Sequence, residues 1–401
     1  MNYCLQNVRI INPDSEQIGD VYIEDGKIIQ IKETSQPAQY ILMPGWFDPH
    51  VHFREPGFEY KEDFASGSRA AIAGGVTSYF DMPNTNPPTF SREILDQKRA
   101  LASSKSVANF GLYFGAGPEN LDEIAQVENV PGVKLYLNTT TGNLKMDDEN
   151  LWREIFKLGK KVSLHAEGET FQRATEIWLE EDAPCEMHLC HASLASEVSR
   201  VRELKDAGHP ITMEVCPHHL LMTGKDRAEK GAFCCMKPQL AEEEDLEALW
   251  EGVEDGTIDC LATDHAPHTR DEKMEQHPCY GIPGIETLLP LMFTEFNKRN
   301  IPLTRLAEMT SHRTAEIFHV SDKKGWIEPG FDADLVLIDP EAEYKINPED
   351  FFSKCDWSPF EGWTVQGKIL QTFVNGQLVF DQGKIINEEA RGKELQFGID
   401  S

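Results

Sequence analysis

The chain has 401 residues, 40% of them hydrophobic, and seven Trp, which excludes an intrinsically disordered chain and allows a large buried core. Its 68 Asp and Glu outnumber 38 Lys and Arg, and a formal charge of −30 argues against nucleic-acid binding and against docking on an anionic membrane. The opening MNYCLQNVRIINP has no basic segment followed by an apolar core, and no apolar run approaches the roughly 18–20 residues of a membrane span. Nine cysteines without CxxC spacing read as reduced thiols in a cytoplasmic protein.

In chain order, Asn7–Ile11, Asp20–Ile23 and Lys27–Ile31 read as short strands, with the Glu24-Asp25-Gly26 turn marking a hairpin. From 45 onward, strand-like and helix-like segments alternate. The strands are expected at Met43–Phe53, Val76–Met82, Asn109–Gly115, Val133–Leu137, Val162–Ala166, Met187–Ala192, Ile211–Cys216 and Cys260–Asp264. Helical patterns between them include Lys61–Ala73, Ser91–Ala102, Glu149–Leu158, Ser196–Ala207 and Glu242–Val253. Near the C-terminus strands return at Asp334–Ile338, Gln371–Val374 and Gln377–Phe380, the last two joined by Asn375-Gly376. Eight β-α units imply parallel strands joined by crossovers, and predict an α/β fold of the (β/α)8, TIM-like barrel class. The barrel is expected over 45–326, with a small composite β domain built from both chain ends, 1–44 and 327–401.

Barrel chemistry belongs at the C-terminal ends of the strands, and polar residues collect there. Strand one runs out through His50, His52 and Arg54, strand two through Asp81 and Asn84, and strand four contains Lys134. His165 ends strand five, Cys190 and His191 strand six, Glu214 strand seven, and Asp264 strand eight, with His268 just beyond. Residues i and i+2 of a strand share a face, so His50 and His52 can meet one metal. Alone such a pair says little; with His165, His191 and Asp264 the set suits Zn²⁺ or a similar divalent ion. Lys134, between Val133 and Leu135, is either paired with a buried acid or a desolvated amine able to take up CO₂ as a metal-bridging carbamate.

The runs DPHVHFREPG from Asp48, DMPNTNPP from Asp81, GVKLYLN from Gly132, HAE from His165, HLCHAS from His188, EVCPHHL from Glu214 and ATDHAPHT from Ala262 resemble the dihydroorotases of the amidohydrolase superfamily. Lys134, the Cys190-His191 pair and the later SPFEG run are most similar to the type with a bridging carbamylated lysine, as in the animal multifunctional pyrimidine-synthesis protein. The resemblance extends to about residue 380. It implies a zinc-dependent enzyme that interconverts (S)-dihydroorotate and N-carbamoyl-L-aspartate in de novo pyrimidine (UMP) biosynthesis, through a metal-bridging hydroxide. It implies two Zn²⁺ per subunit, one on His50, His52 and Asp264, the other on His165 and His191, bridged by carbamylated Lys134. Asp264 is then the proton shuttle, and Arg54, Asn84, His268, Lys237 and Thr140 bind the anionic substrate.

A third zinc at Cys190 and Glu214, beside His165, is allowed by the same resemblance, although a buried thiol needs no metal to explain it. His218 and His219 read as structural groups rather than ligands. Two positions depart from the animal pattern: Lys237 replaces an arginine, and Thr141 an aromatic residue of the active-site loop. The other readings are a different cyclic amidohydrolase, such as an allantoinase or hydantoinase, and a non-catalytic dihydroorotase-like subunit. A homodimer and association with aspartate transcarbamoylase both fit the family.

Overall fold

The computed structural model describes residues 2–140 and 144–397, so Thr141 lies outside the described residues. Strands β1 (Tyr3–Ile11), β2 (Glu16–Glu24) and β3 (Lys27–Glu33) run antiparallel in succession, and β4 (Tyr40–Pro44) lies parallel to β1. Asp25 and Gly26 adopt φ of 48° and 85°, the left-handed pair that a tight hairpin turn requires.

The expected strand Met43–Phe53 is divided. β4 stays in the outer sheet, and β5 (Trp46–Val51) begins the barrel. Gly45 is the hinge between them, where a Cβ would lie 2.2 Å from Thr77 Oγ1, so only glycine lets the chain pass this close to the next strand. The barrel continues through β6 (Val76–Asp81), β7 (Asn109–Leu112), β8 (Phe114–Gly115), β9 (Val133–Tyr136), β10 (Val162–His165), β11 (Met187–Ala192), β12 (Ile211–Val215) and β13 (Cys260–Leu261), all parallel. β7 and β8 are the two halves of the expected third strand: the first half pairs with β6, the second with β9. The ring closes where Val51 bridges His265 and the His52 amide donates to His265 O at 2.8 Å. The result is an eight-stranded parallel barrel with helical crossovers.

The crossovers form for local reasons. Helix Glu149–Lys157 starts where Asp148 caps the Asn150 amide, and it buries Trp152, Ile155 and Phe156 at helical spacing against the barrel. Each such side chain contributes about 1.5–3 kcal/mol, and Trp152 Nε1 meets its polar need by donating to Met146 O.

Strands β14 (Leu335–Lys345), β15 (Thr364–Val374), β16 (Gln377–Asp381) and β17 (Lys384–Ile385) complete the outer sheet. Its order is β17-β16-β15-β14-β4-β1-β2-β3, so both ends of the chain contribute to one sheet through the β14–β4 pair. The last described residues were expected to stay with that sheet; instead they return to the barrel. On the side of the third strand β9 pairs with β8 and not with β7, so among the described strands β7 pairs with β6 alone. The tail supplies a second neighbour: the Phe110 amide donates to Lys393 O at 3.0 Å and the Leu395 amide to Phe110 O at 2.9 Å. Leu395 and Phe397 pack with Phe80, Tyr113 and Phe318. All nine cysteines are free. Among the described residues no helix is long and apolar enough to cross a membrane.

Candidate active site

The strand exits converge as the sequence predicts. His50 Nδ1 lies 2.5 Å from Glu214 Oε1, and His52 Nδ1 lies 2.6 Å from Asn84 Oδ1. Each bond holds its ring with Nε2 facing Asp264, whose Oδ1 is 3.5 Å from His50 and 2.9 Å from His52. Burial and the nearby Lys134 ammonium push the His50 pKa down to about 4, so this ring is neutral. Burial alone would raise the Asp264 carboxyl, but His50 and His52 outweigh it and hold the group below the usual carboxylate range. Two imidazoles and an ionised carboxylate gathered this closely are a donor set that suits a divalent cation. The three ligand atoms lie within 4.8 Å of one another.

A second pair forms at the ends of β10 and β11. His165 Nδ1 sits 2.8 Å from His191 Nε2. His191 Nδ1 has no hydrogen-bond partner, and His165 Nε2 faces only the Glu167 carboxylate at 3.5 Å. Burial lowers the pKa of both imidazoles, keeping them in the metal-ligating form. Lys134 lies between the two groups, fully buried, its Nζ donating to Cys190 Sγ at 2.9 Å. Among the described residues no carboxylate lies within ion-pair distance of it, which removes the buried-acid alternative. Cys190 and Glu214 do share a potential ligand cluster, but with His50 rather than His165. The Glu214 carboxylate is turned that way because it also accepts from His188 Nε2 at 3.1 Å and the His191 amide at 3.1 Å. His218 and His219 are buried beside Cys216, and His219 Nε2 donates to Pro238 O.

Three of these residues share a backbone signature. Arg54, His191 and Asp264 have φ of 66°, 37° and 46°, a region that costs residues with a Cβ about 1–3 kcal/mol and that concentrates at functional sites.

Beside Asp264 and His52, Arg54, Asn84, Thr140 and Lys237 line one pocket. Ala266, from the ATDHAPHT run, and Tyr280 and Gly281 complete it; the last two lie in a loop without periodicity, and sequence reasoning passed over them. His268 does not line the pocket. It is buried behind Arg54, with Nδ1 accepting from Lys61 Nζ at 3.2 Å and Nε2 donating to Tyr280 O at 2.9 Å. Arg54 Nη2 is 3.1 Å from that same Nε2, whose hydrogen is already committed, so the ring gives the guanidinium no acceptor. Arg54 Nε donates to Pro267 O at 3.2 Å. Only 4% exposed, the guanidinium has no carboxylate within ion-pair distance among the described residues. A buried cation without a counter-ion costs several kcal/mol, which an anionic ligand in the pocket would offset.

Residues 41–379 match the amidohydrolase family. The chain belongs to that family. It is 33% identical to a dihydroorotase of Methanosarcina acetivorans over 98% of this chain and 95% of that one. A dihydroorotase of Staphylococcus aureus is 35% identical, over 95% of this chain and 99% of its own. Similarity of 35% to the multifunctional protein CAD of Squalus acanthias covers 89% of this chain, which spans 16% of that protein's length. Among solved structures, an L-hydantoinase (dihydropyrimidinase) from Arthrobacter aurescens superposes with a TM-score of 0.92 at 26% identity, over 98% of this chain and 99% of the other. This amidohydrolase is thus related to both dihydroorotases and hydantoinases, and its His, Cys, Asp and Glu clusters suit a metal-binding hydrolase centre.

Proposed function

We propose that this amidohydrolase is a dihydroorotase, opening the ring amide of (S)-dihydroorotate to N-carbamoyl-L-aspartate and closing it again. The observation that carries the reading is Arg54, a buried guanidinium that among the described residues has no carboxylate partner, in a pocket shared with Asp264. Dihydroorotate brings a ring carboxylate that a guanidinium grips through two charge-assisted hydrogen bonds. Hydantoin and dihydrouracil bring none and would leave that charge uncompensated.

His50, His52 and Asp264 would hold one divalent ion and His165 and His191 a second, both zinc in this reading. Such ions supply Lewis acidity and activate water at neutral pH. Lys134 Nζ is the amine that would take up CO₂: an N–C bond forms as one C=O π bond of CO₂ opens, a proton passes to water, and the resulting carboxylate-like group would serve as a further metal ligand. Asp264, adjoining both the ion nest and the pocket, accepts the proton of the attacking water and returns it to the ring nitrogen as the C–N bond breaks. Arg54 and Lys237 bind the substrate carboxylate, with Asn84 and Thr140 as polar contacts, and His268 packs behind the Arg54 side chain.

The hydantoinase reading has its own support in the close superposition on the Arthrobacter enzyme. Steady-state hydrolysis of L-dihydroorotate, hydantoin and dihydrouracil, before and after chelation, tests both. The expected result is a preference for dihydroorotate of about 100-fold or more in kcat/KM, lost on chelation and restored by zinc. Turnover of hydantoin with none of dihydroorotate would overturn the proposal.

A further inference from the structure

Lys273 is fully buried, yet among the described residues no carboxylate pairs with its ammonium. Its three N–H donors instead go to three backbone carbonyls, Cys235 O, Cys279 O and Gly281 O, each at 2.9 Å. That is the full donor capacity of a lysine. The carbonyls belong to two segments distant in sequence that meet at the pocket: Cys235 lies two residues before Lys237, and Cys279 and Gly281 flank Tyr280. The Gly281 amide also donates to Cys235 O, so Lys273 completes a junction between the two walls. On its other side the ammonium lies 5.4 Å from the centre of the Trp357 ring, whose Nε1 donates to His268 O at 2.8 Å. His268 in turn backs Arg54. Burial pulls the Lys273 pKa down to about 8, which still leaves it charged at neutral pH.

We infer that Lys273 is a positioning residue for the anionic substrate: it ties the Lys237 segment and the Tyr280–Gly281 loop into one wall and contacts the Trp357 ring that holds His268 behind Arg54. The inference rests on the dihydroorotase reading. A buried charge satisfied only by carbonyls is costly for stability alone, since a hydrocarbon of similar shape needs no partners. What the charge adds is a fixed distance between three backbone points that no apolar side chain can set.

The test compares Lys273→Met and Lys273→Arg with the unaltered enzyme, metal-loaded, using L-dihydroorotate and N-carbamoyl-L-aspartate as substrates. The expected result for Lys273→Met is a KM raised roughly tenfold or more for both substrates, with kcat within about threefold and metal content unchanged. Hydrogen exchange over 274–282, which needs no substrate, should quicken in the same variant, and Lys273→Arg should recover part of the KM. If Lys273→Met does not fold, Trp357→Phe, which removes the His268 contact but keeps the ring, should raise KM by a smaller factor at unchanged kcat. Unchanged KM in a folded, active Lys273→Met enzyme, or an equal loss in kcat with KM unmoved, would overturn the inference and leave the dihydroorotase reading intact. An unaltered enzyme that ignores both substrates removes that reading and the role assigned to Lys273 with it.

Discussion

At the entrance end of the barrel strands, a cleft of about 630 Å³ is lined by Lys161, Lys205, Arg305 and Arg313. Each of these cations faces a carboxylate: Lys161 pairs with Glu186, Lys205 and Arg313 share Asp259 at 2.6 and 2.8 Å, and Arg305 meets Glu308 at 2.9 Å. At the exit end Arg54, Lys134 and Lys273 are buried more deeply, and among the described residues none has such a partner. The entrance charges are closed on themselves and hold helices to strands. At the exit Arg54 and Lys134 are not closed in this way, and Lys273 is met by backbone carbonyls alone. In the reading proposed above the larger cavity is not the functional one, and uncompensated charge marks the site better than volume does.

The strongest way to break this contrast is at Asp264. Asp264→Ala should lower kcat by about 1,000-fold or more; near-normal steady-state turnover would remove its proton-transfer role. Lys134→Ala should lose bound metal and activity together, by elemental analysis and assay, and a fully active dinuclear variant would sink the carbamate. Arg54→Met should raise KM for dihydroorotate roughly 30- to 100-fold while changing KM for an uncharged ring far less; equal changes would argue against a carboxylate clamp. At the other end the readout changes from activity to stability. Asp259→Asn should cost about 2 kcal/mol in urea unfolding, because two cations lose their counter-charge and one of the two acceptor oxygens becomes an NH2 donor, with kcat/KM unmoved. His319→Asn keeps a left-handed backbone residue and removes only a half-exposed contact with Glu186, so its effect on unfolding should stay within about 0.5 kcal/mol.

What was legible in the sequence follows from period and punctuation. The barrel strands are short apolar runs, each closed by a polar exit, and the hairpins carry Asp-Gly and Asn-Gly, so their positions could be read residue by residue. The division of the first strand at Gly45 was not legible, because apolar residues continue across it and only the approach of Thr77 explains the break. Within the site, residue type revealed the imidazoles, Lys134, Asp264 and Arg54. It could not reveal orientation: Glu214 turns toward His50 because His188 and the His191 amide share its carboxylate, and His268 turns away from the pocket because Lys61 and Tyr280 O occupy both its nitrogens. Tyr280 and Gly281 sit in a loop whose course is set by Lys273, a contact between segments that no local pattern encodes.

The tail strand at Lys393–Leu395 bears on when the barrel can exist. Lys393 donates to Asn109 Oδ1 across 284 residues of chain. A ribosome adding about 5–20 residues per second needs on the order of 15–60 s to travel that far. Until then the Phe110 amide and carbonyl face solvent or a provisional partner, and the floor formed by Leu395 and Phe397 is missing. The proposed metal ligands are all synthesised well before the piece that seals the opposite end of the barrel, so a nascent chain can display them before the fold around them is complete.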